Sequence, residues 1–125
     1  MDVTFRSGNP IMVDHTPSGG NVAVGQVVLL GSVTANTSGT GAIAGIAHRP
    51  ITNNTLGDLS VGGGVYDAVN LNNAANGAKV YWDDTNNKVT TTSTNNAVFG
   101  CIVAGGAGGA NSTCKALHAP YHGND

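Results

Sequence analysis

Four residues near the C-terminus have the types to ligate a metal ion. His118 and His122 lie four apart, Cys114 lies four before the first, and Asp125 three after the second. On a helix these would share one face, and thiolate, imidazole and carboxylate donors together suit zinc. Thr113 to Leu117 reads as a strand, however, and Pro120 stands between the histidines, so that helix is not expected. The two histidines therefore read as part of a solvated polar tail, and no metal ligand is assigned. Gly39-Thr40-Gly41-Ala42-Ile43-Ala44 fits the loose dinucleotide pattern G-x-G-x-x-G/A, with Asp58 near the distance of the ribose-binding acid. That chemistry needs a helix to open at the glycines and point its N-terminus at the pyrophosphate. Pro50 follows within nine residues and the intervening sequence is β-like, so the segment reads as an ordinary loop.

The remaining pairs do no better. Asp14 and His15 are adjacent, so on a strand they face opposite sides and cannot act together. Asp83 and Asp84 begin a turn, where short carboxylates bond nearby amides. There is no G-x-S-x-G elbow and no phosphate-binding loop. No catalytic or cofactor-binding residue is assigned, and an enzyme is not expected. Cys101 and Cys114 lack metal-ligand spacing and read as buried, inert thiols, with a disulfide or a metal ligand as the alternatives.

The elements that would hold any site in place are strands. The 125 residues contain no Glu and a single Gln, at position 26, while Gly alone accounts for 19. Long helices favour the missing types, and the abundant Val, Thr, Asn and Gly are strand and turn formers. One small all-β domain follows, a barrel or sandwich. Residues 1–10 read as an extended N-terminal arm, 11–118 as the β-domain and 119–125 as a polar tail.

Lys79 to Trp82, the turn Asp84 to Asn87 and Val89 to Thr92 make the clearest hairpin, and it holds the one Trp. Other strands are expected at Met12–Thr16, Gln26–Leu30, Ile43–Ala47, Asp58–Val61, Val65–Val69, Val98–Ala104 and Thr113–His118, about eight to nine short strands in all. The unbroken apolar run at Val27–Leu30 predicts burial on both faces. Asn70 to Asn76 is the one credible helical turn. Gly105 to Ala110 is too flexible to order itself and reads as a loop.

Charged residues make up only 10% of the chain, and the net charge is −2. The five basic residues, Arg6, Arg49, Lys79, Lys88 and Lys115, are scattered, so no nucleic-acid footprint is present. No run approaches the ~20 apolar residues of a membrane span. Met1 to Arg6 lacks the basic and apolar regions of a signal peptide, so synthesis in the cytoplasm is expected. A surface covered by Asn, Thr, Ser and Gly suits a protein that hides much of itself in an assembly.

Four segments, in order, carry a family resemblance. They are Val24-Gly25-Gln26-Val27-Val28-Leu29, then Ile43-Ala44-Gly45-Ile46-Ala47, then Leu56 through Tyr66 with its Gly62-Gly63-Gly64, and finally Asn76 through Thr92 followed by Val98-Phe99-Gly100-Cys101-Ile102. Across residues 11–117 the chain resembles the capsid cement (decoration) proteins of tailed bacteriophages. The resemblance implies a small barrel or tulip-like domain that forms homotrimers on the outer surface of an icosahedral head and clamps the major capsid protein. Val3, Thr4, Phe5 and Arg6 are the candidate capsid-binding residues, because alternating residues on an extended arm can add a strand to a neighbour's sheet. The alternative is a receptor- or carbohydrate-binding head domain of a phage tail or fibre. No cofactor, nucleic acid or membrane partner is expected.

Overall fold

The computed structural model describes residues 2–31 and 42–120. Ten strands and no helix occur among them: β1 (Thr4–Gly8), β2 (Met12–His15), β3 (Val27–Gly31), β4 (Ala42–Ile46), β5 (Gly57–Ser60), β6 (Gly64–Asn70), β7 (Lys79–Asp83), β8 (Lys88–Thr90), β9 (Ala97–Ala104) and β10 (Ser112–His118). Nine match the expected segments. The tenth is the N-terminal segment, which is extended as expected and pairs antiparallel with β6.

One sheet has the order β1-β6-β10-β9-β7-β8. A parallel contact between Asn70 and Val89 returns β8 to β6 and closes five of these strands into a barrel. The free edge of β6 is shared, β8 meeting it at Asn70 and β1 along Gly64–Asp67. Closure removes most of the open edge that a single sheet would leave. The second sheet, β2-β5-β4-β3, is antiparallel and packs one face on the barrel.

Alternation decides what fills the interior. Along β6, Tyr66, Ala68 and Asn70 point in while their neighbours are half exposed. Trp82, Val80, Phe99, Ile102 and Ala116 join them, and Val27, Ala44 and Ile46 of the second sheet complete the same core. A smaller cluster of Val22, Ala47, Ile51 and Leu59 lies on the other face of the second sheet.

Two expectations are corrected. Val27–Leu30 is not buried on both faces: β3 is the edge of its sheet, and only Val27 is fully buried. Asn70 to Asn76 forms no helical turn, because its asparagines bond backbone elsewhere. Asn73 adopts a left-handed φ of 59° and its Oδ1 accepts from the Gly109 amide at 2.7 Å. Asn76 Oδ1 accepts from the Gly106 amide at 2.8 Å, so these side chains order the Gly-rich tract that cannot order itself. Short amide side chains that reach backbone compete with helix in this way. Residues 32–41 and the polar tail beyond Pro120 lie outside the described residues.

Asn70 is a fully buried polar residue in this arrangement. Its Nδ2 donates to the Ala74 carbonyl at 2.9 Å and its Oδ1 accepts from the Ala74 amide at 3.0 Å. Asn70→Ala leaves the Ala74 amide without its partner, while the Ala74 carbonyl keeps the bond it accepts from the Ala107 amide, and we expect about 2 kcal/mol of destabilisation in urea unfolding. A change under about 0.5 kcal/mol would show that water replaces the side chain.

Candidate docking surface

The N-terminal strand brings three of the four candidate residues to the surface. Thr4, Phe5 and Arg6 are exposed on β1, an edge strand, whereas Val3 is buried in the core and its amide donates to the Gly25 carbonyl at 3.1 Å. Val3 therefore anchors the strand and faces inward. Arg6 reaches Asp67 at 3.6 Å, and Lys115 holds the same carboxylate at 3.2 Å. Both pairs are exposed and add little stability.

Beside β1 lies a cleft of about 260 Å³ lined by Val3, Phe5, Val24, Ile46, His48 and Tyr66, among others. Phe5 stands over it, 4.7 Å from the His48 ring and 5.5 Å from Tyr66. The Tyr66 hydroxyl and His48 Nε2 are hydrogen-bonded at 2.6 Å. Burial lowers the pKa of His48, against a smaller upward pull from Asp58, and burial raises that of Tyr66. At neutral pH the cleft is thus apolar, with one neutral polar pair at its floor.

The rings continue inward from Tyr66 to His118 at 5.8 Å, to Phe99 at 5.1 Å and to Trp82 at 6.0 Å. His118 overturns the reading of a solvated tail. It ends β10 with no exposed surface, and its Nε2–H donates to the Ala44 carbonyl of β4 at 2.6 Å. Nδ1 has no partner among the described residues. This ring links the barrel to the second sheet. Burial, with a smaller contribution from nearby His48, lowers its pKa to about 4, although the Ala44 bond works the other way. The sequence signal was the alternation Cys114, Ala116, His118, which carries the inward face of β10 to its last residue.

The other candidate groups are not brought together. Asp83 would be raised by its partial burial, but the Asn86 side chain and amide, the Thr85 amide and the Lys88 charge outweigh this and lower it. Asp84 Oδ1 accepts from the Trp82 indole at 3.1 Å. Both carboxylates therefore hold the hairpin turn. Cys101 and Cys114 are free thiols, and burial, followed by the Asp67 charge, raises the Cys114 pKa. His122 and Asp125 lie outside the described residues, as do Gly39 to Gly41. The described part of that loose dinucleotide pattern is strand β4.

A surface built from an edge strand, an aromatic cleft and exposed aliphatic residues can dock another polypeptide. A family model described as "Phage cement protein" matches residues 6–117. The chain belongs to the phage cement protein family. No curated protein and no solved structure matches it. The match covers eight of the ten strands entirely, enters β1 at Arg6 and stops one residue before the end of β10, so it spans nearly the whole β-domain rather than one motif.

Proposed function

We propose that this chain cements a phage capsid, binding the outer surface of the major capsid protein lattice as a homotrimer and stabilising the icosahedral head. The observation that carries the reading is the family match across residues 6–117. The protein acts in the virion after synthesis in the host cytoplasm, as a structural component rather than an enzyme. Neither a cofactor nor direct contact with nucleic acid or membrane enters this role. Thr4, Phe5 and Arg6 on the edge strand, with the cleft beside them, are the contact to the capsid protein. A strand edge with an adjacent pocket recognises extended polypeptide through main-chain bonds and one seated side chain.

The receptor- or carbohydrate-binding alternative finds little support. The larger cleft, about 720 Å³, is lined by Asp2, His15, Asn21, Asp84 and Asn87 and, among the described residues, by no Trp, Tyr or Phe on which a sugar ring would stack. Trp82 is fully buried.

Three-fold self-association multiplies one weak patch over three capsid subunits. With so few charges, contacts made by this chain should resist salt. The protein is expected to sediment as a trimer at low and at molar salt and to saturate expanded capsids that lack it. Phe5→Ser should lower that occupancy roughly tenfold, about the loss of one partly buried aromatic contact. A monomer at both salt concentrations sinks the trimer, and failure to decorate capsids sinks the cement role.

A further inference from the structure

The second sheet carries apolar side chains on both faces, and among the described residues only its barrel-facing side joins the main core. Its barrel-facing side contributes Val27, Ala44 and Ile46 to the main core. Pairing places Val13 beside Leu59, Val28 beside Gly45, and Leu30 beside Ile43, so these residues share the opposite face. Val61 donates its amide to the Ile11 carbonyl and continues the same row. That face therefore carries Ile11, Val13, Val28, Leu30, Ile43 and Val61 around the buried Leu59. The Val22–Ile51 bridge covers one end of it, over Leu59 and Ala47. Elsewhere it is open among the described residues: Ile11 is 56% exposed, Ile43 42% and Val13 37%.

Two features say what covers it. Asp14 and Asp58, the acidic residues of these four strands, alternate to the other side, so the open face has no Asp, Glu, Lys or Arg among the described residues and a single His, His15 opposite Gly57. A face without charge can meet copies of itself with no like-charge repulsion, and it offers no charge by which to select a different partner. The unbroken apolar run of β3 is the pattern of a strand covered on both sides, yet in the single chain its outer face is only half buried. A contiguous apolar face of this kind marks an interface in a soluble protein.

We infer that this face is the interface between copies of the chain, three of which turn it toward a common axis. The inference rests on the homotrimer proposed above and names its contact surface. It also separates two duties: the second sheet holds the trimer together, while β1 and its cleft remain available for the capsid.

Sedimentation of wild-type protein and of Ile11→Asp combined with Ile43→Asp tests the assignment. Both side chains are exposed, so circular dichroism of the variant should match wild type. Its dissociation concentration should rise roughly a hundredfold or more, because the new carboxylates would be buried without partners. Val103→Asp, on an exposed position of β9, should leave the trimer intact. If the charged pair unfolds the chain, Ile11→Thr with Ile43→Thr keeps β-branching and should still weaken assembly at least tenfold. A wild-type trimer that both double variants preserve overturns this interface alone, and so does loss of capsid occupancy with the trimer unchanged. A wild-type monomer overturns the trimer itself.

Discussion

Acidification from pH 7.5 to pH 4 should remove about 3 kcal/mol of stability through His118 alone. The ring is neutral in the fold, with Nε2–H committed to Ala44 and Nδ1 enclosed without a partner among the described residues. Its pKa falls from 6.5 to about 4, a shift of about 2.5, and each unit corresponds to about 1.4 kcal/mol. The sign follows from proton counting: the unfolded chain binds the proton first, so acid favours unfolding. The stability is fully present above pH 6.5, declines as pH falls through the window, and is gone below about pH 4. His118→Phe keeps a ring against Phe99 and Tyr66 but cannot titrate or donate. It should lose about 2 kcal/mol at pH 7.5, through the orphaned Ala44 carbonyl, and show a correspondingly flatter decline toward pH 4. Urea midpoints for both proteins across this range provide the comparison. Parallel pH profiles would remove His118 as the source.

Gly100→Ala should be at least as damaging, and at every pH. Gly100 lies inside β9 with φ of 154°, and an added Cβ would stand 1.9 Å from the Leu117 carbonyl oxygen of β10. The obstruction is backbone, which cannot rotate away as a flexible side chain can. Strain at a conformation reserved for glycine and overpacking each amount to about 1–3 kcal/mol, so a loss of about 2–5 kcal/mol is expected. In thermal unfolding this is a fall of very roughly 10–20 °C for a domain of this size. Gly77→Ala is the control: its φ is also positive, at 87°, but no atom lies within 4 Å of the added carbon. If Gly100→Ala were no worse than Gly77→Ala, the close approach of β9 and β10 would not matter. That approach also sets His118 opposite Gly100, so the two predictions concern one junction.

The hairpin from Lys79 to Thr90 was legible because its determinants are local. Valine and aromatic residues favour extended backbone, and Asp83 bonds the amides of Thr85 and Asn86 within the same turn. Asn87, with φ of 57°, supplies the left-handed residue that the turn requires. The all-β class and nine strand positions followed from similar short-range preferences. Local alternation likewise placed Thr4, Phe5 and Arg6 on an extended segment, whereas Val3 was grouped with them because no local signal showed that its side chain would enter the core.

Residue types and their neighbours along the chain therefore determined that this protein is built of strands, where most of them lie, and that no familiar catalytic motif is present. Tertiary structure decided which partners those strands meet. The β6 edge received the N-terminal segment as β1, and β3 became an edge rather than a central strand, because pairing depends on residues distant in sequence. His118 looked like the start of a solvated tail until it met Ala44, 74 positions away. The same holds for the open face of the second sheet: each aliphatic residue on it is an ordinary strand former. Only the pairing of β2, β5, β4 and β3 assembles Ile11, Val13, Val28, Leu30 and Ile43 into one uncharged surface, since burial and contact are properties of where chains cross, not of local propensity.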